Sequence, residues 1–512
     1  MKRKFKFIKT LLLILLFSLV LSACNVTVPD DKQDIETNNP TVVPPATVVP
    51  PATVVPPVTN NPTVIPPDVK VEAVNFAMIN DTHGAFTDSN DGFAISKVDT
   101  VLDGLEANKG DFIKIANGDI LQGSYISTKT YGYQLIEALN VMDFDAFVIG
   151  NHEFDWGLDK IANYKDGDLT NGEAEYPFLG ANIFYKGTTT NPEWIEPYTI
   201  INYSGVSVGI IGLIGGNQEG DILSTNVSAY TFLDNPTNLV KQYSLELREE
   251  KNCDVVVVAT HDYDETLNSN IANLETNARV DAIFCAHTHQ LKNEYVTRRD
   301  GVKIPVVQNY DKNETLVEVN LNLDDNNQMS TYKTQIHRPS SYALSDDLTD
   351  LYSKYNSYII ESERIIGRTS SNMGKSTIGK LTVTAMSSYN YNVSDISQID
   401  LSIINTSGVR ATISSGDISV AEVFNAFPFD NKIYLVQLYG KECKKLVSDS
   451  YYYSHYTQTF EDNKIYTVAV IDYIYFSTYY TTANIFSKKV AEYETGILMR
   501  DIFLEYVENN YK

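Results

Sequence analysis

The chain has 512 residues, with 40 Lys+Arg against 65 Asp+Glu and a formal net charge of −25, which excludes a polyanion such as nucleic acid as a partner of the bulk surface. An apolar fraction of 43% suits ordinary globular cores, and four Cys in this length exclude a disulfide-built scaffold. At roughly 150 residues per domain, the length implies about three domains' worth of chain.

The first segment, 1–23, opens with Lys2, Arg3, Lys4, Lys6 and Lys9 and continues as an apolar core over 11–23. That core is shorter than the ~20 residues a membrane span needs, so it reads as a secretory signal. It ends in Leu21-Ser22-Ala23-Cys24, which resembles the lipobox of bacterial lipoproteins. The resemblance implies that Cys24 carries a diacylglyceryl anchor; the alternative is a plain cleaved signal with an incidental Cys. Residues 24–69 follow as a tether, and 11 of the 18 prolines lie before residue 70, in repeats of the form TVVPPA. Pro-Pro steps fix φ and remove donors, so the tether is expected to be extended, at ~3.1 Å per residue. A Pro-rich ligand for a recognition module is the rival reading. Cys253 and Cys285 fall in or beside apolar runs and Cys443 is isolated, so no disulfide is required.

From residue 70 to 340, short β-branched runs at 73–79, 111–117, 145–149, 206–214, 254–260 and 281–286 alternate with amphipathic stretches such as 131–142 and 238–251. Strand–helix alternation of this kind predicts an α/β domain with its chemistry at strand ends. A charged helical connector is expected over 341–368, and a second, Tyr-rich α/β unit over 369–512.

The predicted strand ends carry Asp81-Thr82-His83, Gly118-Asp119, Gly150-Asn151-His152-Glu153-Phe154-Asp155, His261 and His287-Thr288-His289, so five of the seven histidines fall in these loops. Each residue alone has a bland reading, as a turn Asp, a cap or a core histidine. Together they predict a two-metal site. Asp-x-His offers an oxygen and a nitrogen from one loop, and Asp119 can bridge two cations. Asn151 offers a carbonyl oxygen, and the mixed N/O set suits Zn²⁺, Mn²⁺ or Fe²⁺ better than Ca²⁺.

These motifs resemble the calcineurin-like metallophosphoesterase superfamily, and Gly150–Gly157 (GNHEFDWG) resembles its 5′-nucleotidase branch. The resemblance covers residues 75–290, with Ala286 where the family has Gly. It implies a four-layer α/β/β/α sandwich followed by a smaller α/β 5′-nucleotidase C-terminal domain. It also implies that Asp81, His83, Asp119 and His289 hold one divalent metal, and Asp119, Asn151, His261 and His287 the other. By the same analogy His152, oriented by Asp155, acts on the scissile phosphate, and the nucleophile is a hydroxide shared by the metals. Many nucleotidases have Gln where this chain has His289.

The C-terminal part offers Asn405-Thr406-Ser407-Gly408-Val409-Arg410 and Pro428-Phe429-Asp430-Asn431, similar to the substrate-binding motifs of the 5′-nucleotidase C-terminal domain. The resemblance implies that Arg410 binds phosphate, Asn405 lies beside the nucleoside and Phe429 stacks on the base; the bland alternatives are a surface ion pair and a core aromatic. Lys375 stands in for a second phosphate-binding Arg. Tyr473 falls where a second stacking aromatic belongs, but the Gly-Gly-Asp turn beside it is missing, and two loop glycines are replaced by Thr406 and Ser407.

The expected protein is a monomer, anchored by Cys24 to the outer face of the cytoplasmic membrane. It is expected to hydrolyse a nucleotide or other small phosphate ester, with nucleic acid excluded. The alternatives are a 2′,3′-cyclic-nucleotide phosphodiesterase/3′-nucleotidase or a nucleotide-sugar hydrolase, and, in another class, an inactive binding or adhesive lipoprotein.

Overall fold

The structure, a computed structural model, describes residues 71–89, 92–168, 172–477 and 483–512. The signal segment, the tether and Cys24 lie outside the described residues, as does 478–480, the end of the segment that begins at Tyr473. Residues 68–512 form one compact unit.

Two sheets stack face to face. The first has seven strands, in the order Met329–His337, Leu316–Leu323, Ala73–Ile79, Ile113–Asn117, Ala146–Val148, Phe178–Leu179 and Ile195–Glu196. Its strands from Ala73 to Glu196 run parallel, and the two from Leu316 onward close one edge antiparallel. The second has six strands, ordered Lys292–Thr297, Lys303–Gln308, Ala282–Phe284, Val255–His261, Val206–Ile214 and Tyr198–Tyr203, with four parallel strands at its centre. The runs of Val and Ile in these strands follow from burial on both faces. Phe76, Met78, Ile115 and Val148 of one sheet join Ile210, Val256, Val258 and Ile283 of the other in one core. Helices Ile95–Lys109 and Tyr133–Val141 cover the outer face of the first sheet through Val98, Leu102, Leu135 and Leu139. Helices Thr237–Leu245 and Glu265–Ala272 cover the second through Val240 and Ile271. The architecture is therefore the four-layer α/β/β/α sandwich.

The strand at 111–117 starts two residues late, at Ile113, because the Asp111 and Lys109 carbonyls are taken by the Asn75 side chain. The helix expected over 238–251 ends its regular part at Leu245 and closes with a π-helical turn, Glu246–Glu250.

The second unit is a five-stranded mixed sheet, ordered Tyr452–Tyr456, Leu401–Asn405, Ile465–Ile471, Lys432–Tyr439 and Ala491–Leu498, packed on helices Lys375–Ser388 and Met499–Asn510. Between the units run helices Thr349–Lys354 and Asn356–Glu363. The first is held against helix Tyr133–Val141, where Glu137 accepts from Lys354 Nζ and Tyr355 Oη, each at 2.7 Å. Cys253, Cys285 and Cys443 are buried and free, as small apolar groups should be.

Candidate metal centre and substrate cavity

The parallel strands of both sheets end on the same side, and the loops leaving them carry the polar motifs. Asp81 and His83 follow Ala73–Ile79, Asp119 follows Ile113–Asn117, Asn151 and His152 follow Ala146–Val148, and His261 ends Val255–His261. Asp81, His83, Asp119, His287 and His289 all have left-handed backbones, with φ of 49°, 46°, 53°, 72° and 55°. Each such conformation at a residue bearing a Cβ costs on the order of 1–3 kcal/mol and persists only where surrounding structure holds it. Five of them converging on one point mark a functional centre. The adjacent glycines answer to space as well. A Cβ on Gly118 (φ +80°) would sit 2.2 Å from His261 Nδ1, and one on Gly150 would sit 2.4 Å from Asp119 Oδ1.

Two triads result, Asp81/His83/His289 and Asp119/His261/His287, the donor atoms of each within 4.8 Å of one another. In the first, the Nε2 atoms of His83 and His289 face each other at 3.0 Å, and Asp81 Oδ1 lies 3.3 Å from His289 Nε2. In the second, Asp119 Oδ2 lies 3.2 Å from His261 Nε2. The groups fit divalent cations on their own geometry. Asp81 Oδ1, His261 Nε2 and both polar atoms of the Asn151 side chain are buried without a hydrogen bond, an arrangement that costs free energy unless something charged satisfies it. His261 Nδ1 donates to Asn117 O at 2.9 Å, which turns the Nε2 lone pair toward the centre. Burial lowers His261, but the Asp119 and Asp81 carboxylates outweigh it and push it up to about 10, so the local potential strongly favours positive charge. Burial and the neighbouring His261 bring His287 down to about 4, and burial with His289 lowers His83, so these rings are neutral and able to ligate.

His152 stands beside the triads. Its ring Nδ1 meets Asp155 Oδ2 at 2.9 Å, its backbone N–H donates to Asp119 Oδ1 at 2.9 Å, and its Nε2 lies 3.9 Å from Asp119 Oδ2. Burial would lower this ring, but Asp155 and Asp119 push it up to about 9, so it carries a proton at neutral pH.

The C-terminal unit closes over this centre. The Phe429 ring lies against the His152 ring at a centroid distance of 5.4 Å, and the Arg410 guanidinium lies 5.8 Å from the Phe429 centroid. Gln122 Nε2 donates to Pro428 O at 2.7 Å, and Tyr473 Oη donates to Gly220 O at 2.9 Å. A cavity of about 360 Å³, within the range of ligand pockets, holds Asn405, Arg410, Phe429 and Tyr473 on one wall and Asn151, His152 and Trp156 on the other. A second cavity of about 480 Å³ lies on the other side of Arg410, with Lys312, Lys375 and His289 at its border. Every site residue singled out from the sequence within the described region thus borders one of these two cavities, His83 and Lys375 only the second, except that Asp81 and His261 line neither.

Several contributors were not singled out from the sequence. Glu153 is fully buried and accepts four backbone N–H groups, from Asp119, Ile120, Leu121 and Gly150. Asn80 donates to Asp81 Oδ2 at 2.6 Å and Asp311 Oδ2 lies 3.4 Å from His289 Nδ1, so each orients a member of the first triad. Gln122, Trp156 and Asp221 line the cavity. Glu153 and Trp156 sit inside the Gly150–Gly157 motif without having been singled out there; Gln122, Asp221 and Asp311 have no chain-local signal.

An α/β/β/α sandwich with two Asp/His triads at its strand ends defines a metal-dependent hydrolase. Residues 74–291 match the family described as Calcineurin-like phosphoesterase, and residues 358–460 match 5′-nucleotidase, C-terminal domain. Among relatives, it is 26% identical over 441 residues to the cell wall protein Lmo0130 of Listeria monocytogenes, covering 73% of this chain and 55% of that one. It is 24% identical over 430 residues to a 5′-nucleotidase of Vibrio parahaemolyticus, covering 71% and 72%. In fold it is similar to a 5′-nucleotidase precursor from Thermus thermophilus, with a TM-score of 0.71 and 18% identity over 86% of this chain and 97% of that one. The chain spans only 27% to 55% of the length of three bacterial relatives, the Listeria protein among them.

Proposed function

We propose that this protein is a surface-anchored phosphoesterase that cleaves nucleotides to nucleoside and phosphate. The observation that carries the reading is the joint placement of the Arg410 guanidinium, the Phe429 ring and the His152 ring, oriented by Asp155, at the mouth of the two triads. Asp81, His83, Asp119 and His289 would hold one cation, and Asp119, Asn151, His261 and His287 the other; the N/O donor set suits Zn²⁺, Mn²⁺ or Fe²⁺. When bound, two such cations polarise the phosphoryl group and supply a nucleophile at neutral pH.

The chain's own residues do the rest. Arg410 offers a planar fork for phosphate oxygens. Asp155 holds the His152 ring through Nδ1, so the proton at Nε2 faces the centre and is available to the leaving oxygen. Phe429, Tyr473 and Trp156 give the cavity aromatic walls against which a base can stack, worth ~1–3 kcal/mol. Docking of the C-terminal unit narrows the way in for water. The Cys24 anchor and an outward-facing location are supported by the composition of 1–69 and by the likeness to a protein named for the cell wall.

A second reading, a cyclic-nucleotide phosphodiesterase or nucleotide-sugar hydrolase, draws support from the Lys312- and Lys375-bordered cavity, which leaves room for a further substituent on the phosphate. Turnover of AMP, ATP, 3′-AMP, 2′,3′-cAMP, UDP-glucose and a bis-aryl phosphate, with added Mn²⁺ or Zn²⁺, separates the two when it is followed as inorganic phosphate for AMP, ATP and 3′-AMP and as the monoester product for the other three. The nucleotidase reading expects AMP to be turned over best, and turnover of none of the panel overturns both.

A further inference from the structure

Four carboxylates line the cavity of about 360 Å³: Asp119, Asp155, Asp221 and Asp430. Three have partners. Asp119 belongs to a ligand triad, Asp155 is bonded to His152, and Asp430 is paired with Arg500. Asp221 differs. Among the described residues it makes no hydrogen bond, its Oδ2 is 3.9 Å from His287 Nε2, and its side chain is 57% exposed within the cavity wall.

The segment that presents it is pinned on every side. Gln218 Nε2 donates to His261 O at 2.6 Å, and Glu219 Oε1 accepts from Phe232 N at 2.8 Å. Gly220 O accepts from Tyr473 at 2.9 Å, and Ser224 Oγ donates to Phe476 O at 2.8 Å. Asn226 Nδ2 donates to Asp155 O at 2.8 Å. The backbone that presents Asp221 is therefore anchored on both sides of it. A negative charge in that wall opposes binding of an anionic ester, which points to a donor on another part of the substrate. Two carboxylate oxygens facing a cavity match two vicinal hydroxyls, as carboxylates do for ribose in other folds.

Resting on the nucleotide reading above, we propose that Asp221 is a specificity-determining residue that accepts hydrogen bonds from the ribose hydroxyls of the substrate. The catalytic sandwich, and not only the C-terminal unit, then reads the nucleoside.

The test compares kcat/KM of the full chain, loaded with Mn²⁺, for AMP, 2′,3′-dideoxy-AMP and IMP, in the wild type, Asp221→Asn and Asp221→Ala. The wild type should prefer AMP over the dideoxy substrate by roughly tenfold or more, the scale of a hydrogen bond to a charged acceptor. Asp221→Ala should bring that ratio to within about threefold of unity, with Asp221→Asn between, and the AMP:IMP ratio should not move. A shift confined to AMP:IMP would assign Asp221 to the base amine and overturn the proposal. Loss of bound Mn²⁺ in Asp221→Asn would make it a positioning group for His287, and overturn it too. Turnover of AMP without ribose preference in the wild type overturns this inference alone. Turnover of no nucleotide removes the nucleotide reading, and this inference with it.

Discussion

Glu153 offers the sharpest test of how the centre is built. Its Oε2 accepts from Asp119 N and Gly150 N, both at 2.8 Å, and its Oε1 from Ile120 N at 2.9 Å and Leu121 N at 3.2 Å. Replacement by Gln keeps the shape but turns one oxygen into an amide nitrogen. Whichever way the amide faces, two backbone donors lose their acceptor and meet another donor. Hydrogen bonds to a charged acceptor contribute ~1.5–3 kcal/mol each, so two lost bonds amount to about 3–6 kcal/mol before relaxation. The backbone they hold includes Asp119 at φ 53°, which relaxes readily once released. If about 3 kcal/mol of this appears as failure to form the ligand set, metal affinity falls roughly a hundredfold, at ~1.4 kcal/mol per factor of ten. The assay is a Mn²⁺ titration by calorimetry, with activity followed in parallel, on Glu153→Gln and wild type. It should run at pH 8, because burial and the Asp119 charge push the Glu153 carboxyl up to about 7. A variant that binds two Mn²⁺ within threefold of wild-type affinity and keeps wild-type kcat would refute the argument.

Three further outcomes follow from the same geometry. His152→Ala should lower kcat by about 10²–10⁴ while leaving metal content intact, as measured by elemental analysis; metal loss instead would show that His152 belongs to the ligand set. Gly118→Ala places a methyl 2.2 Å from His261 Nδ1 at a positive φ, so the purified variant should hold less metal than wild type at equal Mn²⁺, and full occupancy would contradict the close approach. Glu318 is buried, which pushes its carboxyl up, but hydrogen bonds from His337, Lys109 and Asn320 hold it down at about 2. Its folded value lies below the unfolded ~4.3, so this stabilisation is complete above about pH 4.3 and is lost as pH falls toward 2. The Tm gap between wild type and Glu318→Gln should therefore close between pH 5 and pH 2, and a gap that stays constant across that window would sink the assignment.

The strands and the candidate ligand residues were legible because their signals are local in the chain. Apolar β-branched runs such as Val255–His261 mark parallel strands buried on both faces, and polar residues at their ends mark the catalytic side. The runs at 73–79 and 206–214 coincide with strands Ala73–Ile79 and Val206–Ile214 to the residue. Gly118 and Gly150 were visible as motif letters, but the reason for them, a Cβ that would strike His261 or Asp119, appears only once loops 33 to 144 residues apart meet.

By itself, the order of residues pointed to two α/β units, to Asp and His as candidate ligands and to His152 beside them, since each depends on spacing within a single strand–loop junction. The tertiary structure alone decided which side chains complete the centre. Glu153 reaches across 32 to 34 residues to hold the Asp119 loop, and Tyr473 reaches 253 residues back to pin the segment that carries Asp221. Such contacts join separate loops whose mutual placement is set by sheet packing and by strained left-handed backbone, and neither leaves a periodic trace in the chain.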